Sequence, residues 1–440
     1  MVEAMNVGVI GTGHVGLPTA GALARFGHHV LATDADRETV EVLARGEMPF
    51  FEPGLEDLVR EGAEAGRLRF AADPAAAIGP ADVVFLCVGT PPTATGEANL
   101  SAMERAAETV ARHAGAEIVV VEKSTVPAGT AERVSETLAR HRPDGTFRVA
   151  SNPEFLREGS AVEDSLRPQR ILVGSDSAEA LAVLRELYAP AVRDGARWIE
   201  TTLRTAELAK HACNAFLAMK VSFANALARI CEAAGADVED IIEVMGSDPR
   251  IGRGHLSAGL GYGGYCFPKD LQAFERLSHR LGYDFPLLRE VARINEEAAE
   301  AAFRKVQEAL WNLEDKRVAL LGLAFKPGTD DVRFAPALAL ARRLLDAGAV
   351  VAGYDPEAGP AAKADLPDLE VAADPYGALE GAHCAVVCTE WAEFRDLDPR
   401  QMRDAMAFPI VVDGRNLLEL APLAEAGFTY LPTGRPPIRP

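Results

Sequence analysis

Three stretches of this 440-residue chain and one short helical spacing have the residue types that chemistry needs. Gly11-Thr12-Gly13-His14-Val15-Gly16 has the spacing of a phosphate-cradling turn. Its first glycine permits the tight turn, the second lets the backbone approach a pyrophosphate, and the third lets the next helix pack closely, with N–H donors and a positive dipole at the helix start. His14 and Val15 lie within the turn and count with its glycines as cofactor contacts, not as catalysts. Asp34, 23 residues after Gly11, is placed to accept hydrogen bonds from a ribose 2′-hydroxyl and to repel a 2′-phosphate. NAD is therefore favoured over NADP, although Arg37 is within reach of a phosphate.

The second stretch is Gly259-Leu260-Gly261-Tyr262-Gly263-Gly264-Tyr265-Cys266-Phe267-Pro268-Lys269-Asp270. Its glycines can wrap backbone around a ligand. Pro268 predicts a helix running to about His279, which sets Cys266 just before a helix N-terminus, where the dipole and Lys269 favour thiolate. Position alone also fits a small core residue, the reading that suits Cys213 and Cys231. The glycines and Lys269-Asp270 favour the nucleophile. Lys210 and Asn214 are one helical turn apart and share a face. A lysine is ordinarily a solvated charge, but Ala206, Ala209, Cys213 and Phe216 around Lys210 predict a buried one with a partner. Glu154 and Glu158, in the third stretch, are likewise one turn apart, just past a strand end, where doubly wound sheets bind ligands. Without further context each reads as a surface carboxylate.

The elements that must hold these residues follow a regular order. Apolar runs Val7–Ile10, Val30–Thr33, Val83–Val88, Ile118–Glu122, Phe147–Ala150 and Ile171–Val173 alternate with helical sequence, which predicts a parallel α/β sheet. Residues 204–234 read as one helix ending at Gly235, roughly 45 Å long. Strand signals return at Val318–Leu321, Val350–Gly353, Ala385–Cys388 and Ile410–Val412. The predicted fold is α/β: two Rossmann-like doubly wound domains, at 1–202 and 315–440, joined by the long helix and a helical middle region at 203–300.

Composition narrows the class. With 48% hydrophobic and 25% charged residues, disorder and fibrous architectures are excluded. A formal charge of −20 opposes nucleic-acid binding, so an anionic ligand needs a locally positive site. The apolar runs are too short to span a membrane, and Arg25 is the first basic residue, so the N-terminus lacks the charged region of a secretory signal. A cytoplasmic protein without membrane partners is expected. The six cysteines have neither disulfide-framework density nor C-x-x-C metal spacing, so free thiols and no metal are expected.

Taken together, Cys87-Val88-Gly89-Thr90-Pro91-Pro92, Ser124-Thr125-Val126-Pro127-Ala128-Gly129-Thr130, the segment Asn152 to Gly159, Lys210 with Asn214, Gly263 to Asp270, Gly322 to Arg333, and Asp413-Gly414-Arg415 resemble the UDP-glucose/GDP-mannose dehydrogenase family, from Val7 to about Arg415. The resemblance implies a four-electron, NAD-dependent oxidation of a nucleotide sugar's C6 hydroxyl to a carboxylate. Cys266 would form a thiohemiacetal and then a thioester. Lys210 would act in proton transfer and oxyanion stabilisation, Asn214 would donate a hydrogen bond, and Asp270 would order the water network. Glu154 would assist hydrolysis and Thr125 would hold the water. Thr90, Thr125, Glu158, Lys269 and Arg333 would stand on the cofactor side. Lys326, Arg415, Glu154, Phe155, Leu156, Lys210, Asn214, Gly263 and Arg250 would contact substrate, Arg250 from the partner of a homodimer.

Phe267 and Lys269-Asp270 lean towards UDP-glucose, with GDP-mannose and dTDP-glucose as alternatives. Gly254-His255, Tyr265 and Phe334-Ala335 depart from the usual pattern and put the diphosphate and sugar contacts in question. Two competing readings are a two-electron hydroxyacid-type dehydrogenase, which has no use for Cys266, and a silent nucleotide-sugar sensor.

Overall fold

The computed structural model describes residues 3–115 and 117–439. Its contacts divide it into two compact units, Met1–Cys213 with Gln272–Gly282, and Asn214–Leu271 with Tyr283–Pro440. Two helices contribute to both. The long helix Leu203–Ala234 changes unit after Cys213, and the helix Cys266–Arg280 changes after Leu271.

The first unit is built on eight strands: β1 (Asn6–Ile10), β2 (His29–Thr33), β3 (Leu68–Phe70), β4 (Val83–Leu86), β5 (Glu117–Glu122), β6 (Thr146–Ser151), β7 (Arg170–Gly174) and β8 (Arg197–Thr201), in the order β3-β2-β1-β4-β5-β6-β7-β8. Strands such as Val83-Val84-Phe85-Leu86 are apolar throughout because helices cover both faces. The chain order reverses at β1, which pairs with β2 on one side and β4 on the other. The crevice beyond the carboxyl ends of β1 and β4 is thus the position where an open α/β sheet takes a ligand.

The sheet departs from expectation in three places. It is mixed, not parallel throughout, because β6 meets β7 antiparallel through the single pair Ser151–Gly174. An apolar run reads the same in either direction, so strand polarity left no mark on the sequence. The strand expected over Val83–Val88 stops at Leu86, where Cys87 enters the turn against Gly11. Strand β3 was not expected, being three residues with one exposed arginine.

The second unit begins on the long helix and continues through Val238–Ser247, the start of the Cys266 helix and Pro286–Leu310. Its six strands, β9 (Arg317–Leu321), β10 (Val350–Tyr354), β11 (Glu370–Val371), β12 (Cys384–Val387), β13 (Ile410–Asp413) and β14 (Thr429–Pro432), are all parallel in the order β11-β10-β9-β12-β13-β14. This repeats the first six positions of the other sheet. Strands β11 and β14, one of two residues and one ending in proline, escaped the sequence reading. Among the described residues no helix is long and apolar enough to cross a membrane.

Candidate active site

The dinucleotide edge of the first unit is formed by the turn after β1. Gly11 sits at φ 98°, and a Cβ there would lie 2.5 Å from the Cys87 carbonyl oxygen; one at Gly16 would lie 1.8 Å from the Gly11 carbonyl oxygen. Both glycines are required by the protein's own packing. Gly13 is different, since a Cβ there meets nothing within 4 Å. Its missing side chain leaves room above the helix Gly16–Phe26, which is what a pyrophosphate needs, so these residues fit NAD. Asp34, just past β2, accepts from the Thr12 N–H at 2.7 Å and the Thr12 hydroxyl at 3.1 Å, which ties the acid to the turn. His14 packs on Phe50 with ring centroids 4.0 Å apart, and the exposed Arg37 opens a helix that Asp36 caps. Thr90 donates to the Thr125 carbonyl at 2.9 Å, which joins the loops after β4 and β5.

Beyond β6 lies a buried charge cluster. Glu154 and Lys210 form an ion pair at 2.9 Å and are 5% and 4% exposed. The second Glu154 oxygen accepts the Leu156 N–H at 2.7 Å. The Lys210 ammonium stands 5.3 Å from the centre of the Phe155 ring, which carries the Arg170 guanidinium 3.9 Å from its centre. The expected burial of Lys210 holds, but not all of its expected neighbours do: Ala206 is buried, whereas Phe216 is 59% exposed. Removing one partner of a buried ion pair costs about 3–5 kcal/mol. Glu158 is buried as well. The N–H groups of Gly159 and Ala161 beside it both donate to Glu52 at 2.7 Å.

Three further buried charges in this unit were missed. Lys123 follows β5 directly and donates to Asn152 Oδ1 at 3.0 Å and to the Tyr188 hydroxyl at 3.5 Å. Burial lowers its pKa to about 8, with nearby Glu154 opposing and Lys210 adding to the shift. Glu122 is fully enclosed; burial first, and then the neighbouring Glu207, push its carboxyl well above the ordinary range. The shift favours the neutral acid at Glu122, beside Glu207, whose carboxylate accepts the Gly129 and Ala131 N–H groups at 2.6 and 2.7 Å. The signal was the charged pair Glu122-Lys123 closing the apolar run Ile118–Val121.

The second unit holds the thiol. Cys266 is half-buried and is the first residue of its helix, which begins two residues earlier than Pro268 predicts. Pro268 falls in the first turn, where its missing N–H would lack a helical partner anyway. Asp270, 1% exposed, accepts from Asn214 Nδ2 and from Lys269 Nζ, both at 2.6 Å. Tyr265, a departure from the family pattern, lies between two cations, with Lys269 5.5 Å and Arg333 4.5 Å from its ring centre. Arg333 is also held by both oxygens of Asp331.

Gly264, at φ 76°, packs where a Cβ would be 2.7 Å from the Phe325 ring, and a Cβ at Gly263 would be 2.4 Å from the Phe334 carbonyl oxygen. The substrate candidates are set in different ways. Arg415 donates to the Cys388 carbonyl at 2.7 Å, and Lys326 stands 5.6 Å from the Phe325 ring centre. Arg250 is 87% exposed and pairs with Asp248.

Three family models cover this chain. The NAD binding domain of the UDP-glucose/GDP-mannose dehydrogenase family matches residues 5–192, the central domain 204–297 and the UDP binding domain 319–420. The chain belongs to this family. It is 46% identical to a UDP-glucose 6-dehydrogenase of Pseudomonas aeruginosa, covering 98% of each chain. It is 42% identical to a UDP-glucose 6-dehydrogenase of Rhizobium meliloti, over 98% of this chain and 100% of the relative. The solved structure of a UDP-glucose dehydrogenase from Pyrobaculum islandicum superimposes with a TM-score of 0.93 at 38% identity, covering 99% of each chain. As a family member with the NAD binding domain matched and Gly13 open, the chain uses NAD as its cofactor.

Proposed function

We infer that this chain is an NAD-dependent nucleotide-sugar 6-dehydrogenase that oxidises UDP-glucose to UDP-glucuronate. The observation that carries this reading is Cys266 in the first turn of a helix, reachable from solvent and four residues from the buried Asp270. A two-electron dehydrogenase has no use for such a thiol. The names of the relatives support the sugar and the base.

NAD, when bound, supplies the hydride acceptor twice, so that one sugar alcohol, two NAD and one water give one carboxylate, two NADH and three protons. Lys210 takes the C6 hydroxyl proton and steadies the oxyanion, held in place by Glu154. Cys266 adds through sulfur to the aldehyde carbon, and oxidation of that thiohemiacetal leaves a thioester. Glu154 and Thr125 direct the water that cleaves it, and Asn214 and Asp270 hold the hydrogen-bond network together.

Gly11, Gly13, His14, Val15, Gly16, Asp34 and Arg37 form the cofactor's phosphate and ribose side, with Thr90, Glu158, Lys269 and Arg333 nearer the reacting end. Phe155, Leu156, Gly263, Lys326 and Arg415 contact the nucleotide sugar. The working parts are 1–202, 203–300 and 315–440.

A homodimer completes the reading. Phe216, Phe223 and Ile230 repeat every seven residues along the long helix and are 59%, 53% and 63% exposed. A second copy covers that stripe and lends Arg250 to its neighbour's substrate. Light scattering tests this, with Phe223→Asp expected to give a monomer. The cytoplasm, where free thiols persist, suits six cysteines without a disulfide.

The test of substrate is NADH formation from UDP-glucose, dTDP-glucose, GDP-mannose and UDP-N-acetylglucosamine. UDP-glucose is expected to exceed the others at least tenfold in kcat/KM, a difference of about 1.4 kcal/mol in transition-state binding. Equal or faster oxidation of another sugar overturns the assignment.

A further inference from the structure

The first unit contains a buried cation that the proposed chemistry does not use. Lys123 is the residue after β5, and Asn152 is the residue after the adjacent parallel strand β6. The Asn152 N–H donates to the Glu122 carbonyl at 2.8 Å, and Glu154 is two residues further on. Glu154 pairs with Lys210, and Lys123 feels the charges of both, so two buried ammonium groups share the carboxylate of Glu154. Lys123, Lys210 and Glu154 are 8%, 4% and 5% exposed. Glu207, one turn before Lys210, turns its carboxylate to the Gly129 and Ala131 N–H groups.

The other titratable groups facing Lys123 do not cancel the excess. The Cys87 thiol at the end of β4 is buried and pushed up to about 12, so it is neutral. The Tyr188 hydroxyl is buried and pushed up as well, and donates to Asn152 Oδ1 at 2.8 Å. Glu122, next in the chain, falls on the opposite face of the sheet by strand alternation, and burial favours its neutral form.

We propose that Lys123 is a positioning residue for Lys210: a second buried ammonium that disfavours the protonated form of Lys210 and so makes it a competent proton acceptor near neutral pH. Activating a lysine by a neighbouring cation in a dry pocket is a general device. Asn152 and Tyr188 fix the second cation where Glu154 cannot neutralise both. This rests on the reading that Lys210 accepts the C6 hydroxyl proton, because only a neutral amine can do so. The burial that brings the Lys123 pKa to about 8 leaves it charged over the range where it must act.

The experiment is the pH dependence of kcat for the full chain with UDP-glucose and saturating NAD, for wild type, Lys123→Met and Lys123→Arg. Removing a like charge raises the Lys210 pKa, so in Lys123→Met the acid limb moves to higher pH by about one unit. Turnover then falls about tenfold at pH 7 and returns to near the wild-type plateau above pH 9. Lys123→Arg keeps the charge and leaves the limb in place.

Asn152 still receives the Tyr188 hydroxyl in Lys123→Met, so the pocket keeps a partner. If that variant fails to fold, Asn152→Asp serves instead. It sets a counter-charge beside the Lys123 ammonium and is expected to move the limb in the same direction. A uniform fall at every pH, with the limb unmoved, overturns the proposal and leaves Lys123 structural. A wild-type profile with no acid limb between pH 6 and 9 contradicts the role of Lys210 itself, a failure distinguishable from the first.

Discussion

The two sheets share the strand order 3-2-1-4-5-6 and place an aspartate just past the second strand, yet they use it in opposite ways. Asp34 in the first unit is half-buried and accepts from Thr12 and the Asp36 N–H, beside a turn left open at Gly13. Asp355 in the second is 6% exposed and saturated by its own protein. It accepts the N–H groups of Leu323, Ala324, Glu357 and Ala358 at 2.7–3.0 Å and the Trp391 indole N–H at 3.0 Å. The turn that corresponds to the glycine fingerprint carries buried Ala324 in place of an open glycine. One topology therefore gives a ligand edge where the acid stays half-exposed beside an open turn, and a closed scaffold where the acid is buried and the turn is filled. Nucleotide-sugar contacts of the second unit must come from other residues, such as Lys326 and Arg415.

Substitutions at packed and at open positions sharpen that contrast. The largest effect is expected at Gly322, where φ is 95° and a Cβ would be 2.3 Å from Thr389 Cβ. Gly322→Val should yield no folded second unit by circular dichroism and proteolysis. Gly13→Val meets no protein atom, so its stability should stay within about 0.5 kcal/mol of wild type. Its NAD affinity should fall about a hundredfold by titration calorimetry, because the valine takes the pyrophosphate's space. Equal loss of stability in the two variants would contradict the reading of Gly13 as a position that meets no protein atom.

The aspartates form the next pair. Asp355→Asn turns one accepting oxygen into a donor among five N–H groups and should cost about 3 kcal/mol by denaturant unfolding, with the KM for NAD unchanged. Asp34→Asn should cost about 1 kcal/mol while raising the KM for NAD about tenfold.

The smallest effect belongs to Glu122. Its carboxyl pKa is raised in the folded protein, so its contribution is fully present below the ordinary carboxylate range near 4.5 and is lost as pH rises above it. The amide introduced by Glu122→Gln does not titrate. The Tm difference between Glu122→Gln and wild type should therefore favour the variant more at pH 8 than at pH 5.

What the sequence made legible was local. The strand-turn-helix order, the glycine turn, the single helix to Ala234 and the placement of Cys266 by Pro268 all follow from neighbours a few residues apart. Polarity of β7 and β8 was hidden because a buried strand carries no direction. The contrast between Asp34 and Asp355 was hidden too, since it depends on what approaches each carboxylate, including Trp391, 36 residues away. Lys123 and the Glu122–Glu207 pair were missed for the same reason. Burial of a charge is decided by distant partners such as Tyr188, 65 residues from Lys123. Lys210 was read as buried from its own helix, but the residues that bury it, Glu154 and Phe155, precede it by more than fifty positions.

The central claim, oxidation by four electrons through a thiol, is tested most directly by counting NADH formed per UDP-glucose consumed, with Cys266→Ser in parallel. The account predicts two NADH per sugar in the wild type, with turnover to the uronate lost in the variant while NAD binding remains. One NADH per sugar, unchanged by the substitution, would contradict it.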